Sequence, residues 1–267
     1  MSEVIVGTRG ETEVDTTALV DPTAELGEGV TIGPWTLIGP RVQIGDGVAV
    51  GPRVLIERDT TVGEDCRIAN GAVLGTDPQD LKYKGEETSL EVGARTVVRE
   101  FATLNRGTSA AGRTVIGSDC LLMAYTHVAH DCELGNHVIL SNAVNMGGHV
   151  LIEDWVTVGG LTPIHQFVRI GAHAFVGGGS RIPQDVPPYC RAAGNPPKLY
   201  GLNTVGLERR GFSEDVRKAL KHAYGILFGS NLNLSQALAR ADEEVSMMPE
   251  VRHLIEFIRS GERGITL

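Results

Sequence analysis

From Thr126 to Gly135 the chain reads THVAHDCELG. His127, His130, Asp131, Cys132 and Glu133 fall within seven residues. Three chemistries suit such a set. Imidazole, thiolate and carboxylate can hold a metal ion. A histidine beside an aspartate can act as a general base with its orienting acid. The same residues can also be ordinary solvated surface. The inventory of side chains does not choose between these readings. Their directions do, so the elements that carry them come first.

Those elements announce themselves by a period. Aliphatic residues recur every six positions, from Val14, Val20, Leu26 and Ile32 to Leu74. The step returns at Val92, Val98 and Leu104, then runs unbroken from Ile116 to Ile182. Four residues after each aliphatic stands a small or β-branched residue, such as Val30, Cys66, Cys132 or Ala174. Neither a helix nor a simple strand has this period. It predicts a parallel β-helix of hexapeptide repeats, one hexad per flat wall and 3 × 6 = 18 residues per triangular coil. Successive coils should stack about 4.8 Å apart.

The register then sorts the opening residues. Cys66, Cys120 and Cys132 occupy the small inward position and read as core rather than ligands. None of His127, His130, His137, His149, His165 and His173 faces inward. Counted from Ile116, the hexads opening at Val128, Met146 and Ile164 share one wall. His130, His149 and His165 therefore lie in three successive coils, with His127 at the corner leading into them. The strip is about 10 Å tall. His137 and His173 fall on another wall and read as ordinary surface residues. Neighbouring strand residues point to opposite faces, so an Asp131–His130 contact requires a bend at the corner.

Two segments leave the repeat. Residues 76–91 hold Gln79, Asp80, Lys82 and Tyr83, and residues 106–113 are rich in small residues. Loops on a rigid scaffold often carry function, and the first of these is the stronger candidate. The predicted domains are a β-helix over 1–190 and a connector with a helical domain over 191–267. Ser213 is an expected N-cap, with further helices beginning near Asn233 and at Pro249 and the last stopping near Gly261. Cys190 has no assigned role.

Composition narrows the class. The chain has 267 residues, 42% hydrophobic and 5% aromatic, with 34 glycines. A net charge of −9 argues against a nucleic-acid partner. No apolar run approaches the roughly 20 residues of a membrane span, and no secretory signal is recognisable. Four cysteines without a CxxC pair predict a reducing, cytoplasmic setting.

The repeat resembles the left-handed β-helix of the hexapeptide acyltransferase superfamily. The hand comes from that resemblance, since crossover connections are otherwise right-handed. The motifs HVAHDC, GGHV, HQF, QDLKYKGE, QDVPPY and GLERRGF, in their relative order, resemble the UDP-N-acetylglucosamine O-acyltransferases that start lipid A synthesis. That resemblance implies transfer of a 3-hydroxyacyl group from acyl carrier protein to the 3-position of a UDP-sugar, without a cofactor or metal. By residue-wise match, His130 is the general base, Asp131 its orienting acid and the Gly148 N–H an oxyanion donor. Gln79, Asp80, Lys82, His127, His149, His165 and Gln166 match substrate contacts. Asn203, Arg209 and Arg210 match nucleotide contacts, and Gly178 matches the position that ends the acyl groove. The resemblance also implies a homotrimer with sites between subunits. Arg209, Arg210, Arg217, Lys218 and Lys221 form an expected docking patch for the acidic carrier.

The sequence departs from the family pattern at Val205, Glu208 and Asn105, which stand where glutamate, lysine and histidine are usual. Some relatives use a 3-amino sugar, so either acceptor fits the resemblance. Three alternatives stay open. Gamma-class carbonic anhydrases share the β-helix and bind zinc through three histidines. A later-pathway β-helix N-acyltransferase carries an extra N-terminal domain, for which Met1 to Glu13 is short. A non-enzymatic scaffold would leave the histidine strip unexplained.

Overall fold

The computed structural model describes residues 10–246 and 248–267. Expectations for the N-terminal segment rest largely on residues 1–9, outside the described residues. Short strands stack into three walls, beginning at Glu13–Val14, Leu19–Val20 and Glu25–Leu26. Each strand pairs in parallel with one a coil later. Thr31 pairs with Ala49 and Ile32 with Val50, a step of 49 − 31 = 18 residues. The architecture is a left-handed parallel β-helix with a small helical domain at its C-terminal end.

A hexad explains why. In Val30-Thr31-Ile32 the valine and isoleucine are buried and the threonine is exposed. Each fully buried large aliphatic contributes about 1.5–3 kcal/mol, and the repeat supplies one per hexad. The third residue after most of the aliphatics turns the corner in the left-handed region, as at Asp119 (φ 59°), Asp131 (φ 58°), His149 (φ 59°) and Phe167 (φ 64°). Non-glycine residues rarely adopt this conformation. Here coil-to-coil hydrogen bonds enforce it: the His149 N–H donates to the His130 carbonyl at 3.0 Å, and the Phe167 N–H to that of Gly148 at 3.1 Å.

The inward cysteines are core. Burial pushes the thiols of Cys66 and Cys120 up to about 11 and that of Cys132 up to about 12. The Cys132 thiol donates to the Gly147 carbonyl of the next coil at 3.2 Å. Val14 departs from the expected burial at 43% exposure, because among the described residues its coil has a neighbour on one side only.

Both excursions are shorter than expected. Thr76 and Ser89–Val92 belong to strands, which leaves 77–88 as the first loop. Arg113 opens the strand Arg113–Ile116, which leaves 106–112 as the second. The connector is also more ordered than its prolines suggest. Cys190–Gly194 and Pro197–Leu202 form an antiparallel hairpin that continues the first wall. A short helix missing from the sequence expectations follows, α1 (Thr204–Arg209). Then come α2 (Glu214–Gly229, capped by Ser213), α3 (Leu234–Glu244, capped by Asn233) and α4 (Pro249–Arg259). Cys190 gains a role here, fully buried with Leu207, Leu220 and Leu254 in the second core. Arg169 ties the two parts together through Asp185, the Phe257 carbonyl and Ser260.

Candidate active site

The histidines occupy the corner between the second and third walls rather than a flat face. The strands His127–Val128, Asn145–Met146 and Pro163–Ile164 lie side by side in the second wall. Each is followed by a three-residue corner: Ala129-His130-Asp131, Gly147-Gly148-His149 and His165-Gln166-Phe167. His130, Gly148 and Gln166 thus share one corner position. Asp131, His149 and Phe167 share the next, where φ is positive. His127 is the exception to the expected arrangement. It stands on the strand, outward on the wall, not at the corner.

The left-handed corner supplies the bend that the Asp131–His130 contact required. The His130 Nδ1–H donates to Asp131 Oδ2 at 2.8 Å. The imidazole is 13% exposed and the carboxylate fully buried. Burial works to raise the Asp131 carboxyl, but hydrogen bonds from Thr108 and His130 outweigh it and hold the group below its ordinary range. An ionised Asp131 keeps the proton on Nδ1 and leaves His130 Nε2 as an open acceptor. Gly148 makes room for the ring. A β-carbon there would lie 2.5 Å from His130 Cε1. Among the described residues its N–H has no hydrogen-bond partner, while its carbonyl accepts from Phe167.

Burial acts on two of the neighbouring imidazoles, His149 and His127. His149 stacks on Phe167 with ring centroids 4.5 Å apart and meets His130 edge-on at 5.1 Å. Desolvation lowers its pKa, against the nearby Asp131 charge. Desolvation lowers that of His127 too, with His130 adding to the effect, and Thr103 Oγ1 lies 2.7 Å from its Nδ1. His165 is exposed, and Arg263 donates to its Nδ1 at 2.8 Å. Ligand atoms of His130, Asp131 and His149 lie within 4.8 Å of one another, a spacing that suits a metal ion. Asp131 Oδ2, however, already accepts from His130 and from Thr108, so the inner lone pairs are engaged.

Two clefts flank this corner. One, of about 510 Å³, is lined by His127, His130, Gly148, Gln166 and Gln79. The other, of about 580 Å³, runs past His149 and Phe167 to Arg169 and Arg263. The first loop reaches the corner through Gln79 and through Asp80, whose charge acts on His149. Lys82 is exposed, and its backbone N–H donates to the Asp80 carboxylate at 2.9 Å. What holds this loop carries no periodic signal in the sequence. Arg106, 1% exposed, donates to the Gly75 carbonyl, to Asp77 and to the Tyr83 hydroxyl. Asn105 donates to Thr76 Oγ1 at 2.8 Å and to the Asp77 carbonyl at 3.0 Å.

Other predicted residues stand elsewhere. Asn203 caps α1 and donates to the His173 carbonyl at 2.9 Å, at the corner between the third and first walls. Arg209 is exposed at the end of α1, and Arg210 lies over the Trp155 ring at 4.9 Å. Gly178 is exposed at the remaining corner, after Phe175–Val176. One chain therefore does not bring these groups to His130. Glu208 pairs with Arg217, and Lys218 with Glu214, so the expected basic patch reduces largely to Arg209 and Lys221. His137 and His173 are not plain surface residues. His137 stacks on Trp155 at 3.7 Å, and His173 packs between Trp155, Tyr189 and Phe212. Burial, with the Arg210 charge, lowers His173 to about 4.

This geometry has counterparts among known proteins. The family described as "Udp N-acetylglucosamine O-acyltransferase; Domain 2" matches residues 185–266, and "Bacterial transferase hexapeptide (six repeats)" matches 23–58, 41–76 and 113–148. An acyl-[acyl-carrier-protein]–UDP-N-acetylglucosamine O-acyltransferase of Chlorobaculum tepidum is 60% identical over 93% of this chain and 94% of its own. The Myxococcus xanthus protein of that name is 51% identical over 95% and 99%. The chain belongs to the UDP-N-acetylglucosamine O-acyltransferase family. A crystal structure of the Bacteroides fragilis UDP-N-acetylglucosamine acyltransferase superposes with a TM-score of 0.93 at 40% identity, covering 95% of this chain and 99% of that one. Family membership takes the place of the zinc-hydratase, N-acyltransferase and scaffold alternatives.

Proposed function

We propose that the protein transfers a 3-hydroxyacyl group from the thioester of acyl carrier protein to the 3-position of UDP-N-acetylglucosamine or its 3-amino analogue. The relatives' shared activity supports this, and the His130–Asp131 pair carries the chemistry. His130 Nε2 takes the proton as the acceptor attacks the thioester carbonyl. Asp131 stabilises the imidazolium that forms. The Gly148 N–H, without a partner among the described residues, is the donor for the tetrahedral oxyanion. Collapse expels the carrier thiolate, which takes the proton back from His130 and leaves the imidazole neutral. No acyl-enzyme is needed.

His127, His149, His165, Gln166, Gln79, Asp80 and Lys82 would contact the substrates in this reading. Asn203, Arg209 and Arg210 would hold the nucleotide, and Gly178 would end the acyl groove. Their placement on three separate corners favours a homotrimer, in which one subunit supplies the base and a neighbour the remaining contacts. Arg209 and Lys221 are the basic groups left for an acidic carrier. Four buried free cysteines suit a cytoplasmic setting. Among the described residues no helix is long and apolar enough to cross a membrane.

The test is an acyl-transfer assay with both acceptors and carrier-bound donors of several lengths. Wild-type protein should transfer, and His130→Ala should lose at least about 100-fold in turnover. Near-normal turnover by that variant would sink the general-base role. Gly178→Met should favour shorter chains, and an unchanged length profile would refute its part.

A further inference from the structure

Asp131 cannot be held by its own strand. It sits at a left-handed corner with its side chain beside His130, and its carboxylate is fully buried. Its firmest grip comes from a different segment. In the 106–112 loop, the Thr108 N–H donates to Asp131 Oδ1 at 2.7 Å and the Thr108 hydroxyl to Oδ2 at 2.6 Å. One residue therefore takes both oxygens and fixes the carboxylate plane. Oδ2 is also the oxygen that receives His130 Nδ1–H. The other charged or titratable groups facing the pair are His149, with Nε2 at 3.5 Å from Oδ2, Asp80, whose charge acts on His149, and His127, which shares a cleft and a charge interaction with His130.

Thr108 is itself well fixed. It is 7% exposed, its carbonyl accepts from the Gly112 N–H at 2.7 Å, and its hydroxyl accepts from the Ala110 N–H at 3.2 Å. That acceptance leaves the hydroxyl proton for Asp131 alone. Thr108 lines neither cleft flanking the corner. Its action on a substrate would be indirect.

We propose that Thr108 is a positioning residue for acyl transfer, orienting Asp131 and through it the tautomer and ring plane of His130. This rests on the general-base reading given above. Charge-assisted hydrogen bonds of this length are the strong ones. Removing the hydroxyl frees one edge of the carboxylate, and the imidazole then loses its fixed partner. The backbone N–H and the loop closure would survive, because Gly112–Thr108 and Gly107–Ser89 are main-chain bonds.

The experiment compares wild type, Thr108→Val, Thr108→Ser and His130→Ala by kcat, KM and pH profile. Thr108→Val should lose about 10- to 100-fold in kcat, the span of one hydrogen bond to a charged group. Its KM for the sugar nucleotide should stay within about threefold. Its acidic limb should move to higher pH, because a carboxylate short of one donor turns more of its charge toward His130 and favours the protonated base. Thr108→Ser, which keeps both donors, should restore kcat to within about threefold. If Thr108→Val fails to fold, Thr108→Ala carries the same comparison. With His130→Ala inactive, a wild-type kcat and an unmoved acidic limb in Thr108→Val overturn the proposal, as does an equal loss in the serine variant. An active His130→Ala overturns the general-base reading, and the positioning role falls with it.

Discussion

Gly148 lies one coil along from His130, 148 − 130 = 18 residues later, and its missing side chain is the space the imidazole fills. A β-carbon would approach Cε1 to 2.5 Å and Nε2 to 2.8 Å. Gly148→Ala should therefore push the ring off Asp131 and also crowd the cleft that Gly148 lines. We expect kcat to fall by about 100-fold or more, with thermal stability near that of wild type. Steady-state kinetics beside a melting curve decide it. An alanine variant of normal turnover would show that the ring has slack to move.

Asp131→Asn should keep the volume and lose the charge. An amide offers no carboxylate to the His130 Nδ1–H, so the wrong tautomer gains population. Turnover should drop by about 100-fold or more with little change in KM. Proton-coupled nitrogen NMR of His130 would detect the tautomer directly. A single tautomer, unchanged from wild type, would contradict this account.

Arg106→Lys should act on the first loop. A lysine is one point charge and cannot reach the Gly75 carbonyl, Asp77 and Tyr83 together. Loss of those bonds at a buried site should destabilise the protein by about 2 kcal/mol. Loop residues 77–88 should become sensitive to limited proteolysis, and KM for the sugar nucleotide should rise more than kcat falls. Equal protease resistance in variant and parent would exclude the clamp.

His173 predicts a pH effect on stability. Its folded pKa is depressed to about 4, so the folded imidazole stays neutral where the unfolded one, with the ordinary value of 6.5, takes a proton. Its contribution is intact above about 6.5 and is lost as pH falls toward 4. His173→Phe should keep the stacking on Trp155 and Tyr189 and reduce the fall in melting temperature between pH 7 and pH 5. His253 runs the other way, since its hydrogen bond to Glu153 raises its pKa. The comparison must therefore be of the variant with its parent. Parallel melting profiles would argue against a buried neutral His173.

The fold was legible because it repeats. One aliphatic and one small residue per hexad fix wall, coil and inward face, and that ruled the cysteines out of the site. Helix starts at Ser213, Asn233 and Pro249 were legible from local capping chemistry. The corner conformation was not. It falls on Asp131, His149 and Phe167 as readily as on glycine, since it is held by hydrogen bonds that these N–H groups donate to the preceding coil, at Thr114 Oγ1, the His130 carbonyl and the Gly148 carbonyl. The grips of Thr108 and Arg106 were hidden for another reason. They join residues 23 and 29 positions apart, across loops with no period. Only the LNRGT stretch itself could have drawn attention to them.

The coil-to-coil hydrogen bonds at the corners have a further consequence for how such a chain can change. Position along the axis is counted in whole rungs of about 4.8 Å. An insertion of one complete coil between His149 and Arg169 would lift the helical domain by one rung and preserve every side chain's heading. An insertion of one hexad would instead carry all later residues onto the adjacent wall. Separations between this corner and the C-terminal helices are therefore quantised, and intermediate values are open only to the loops.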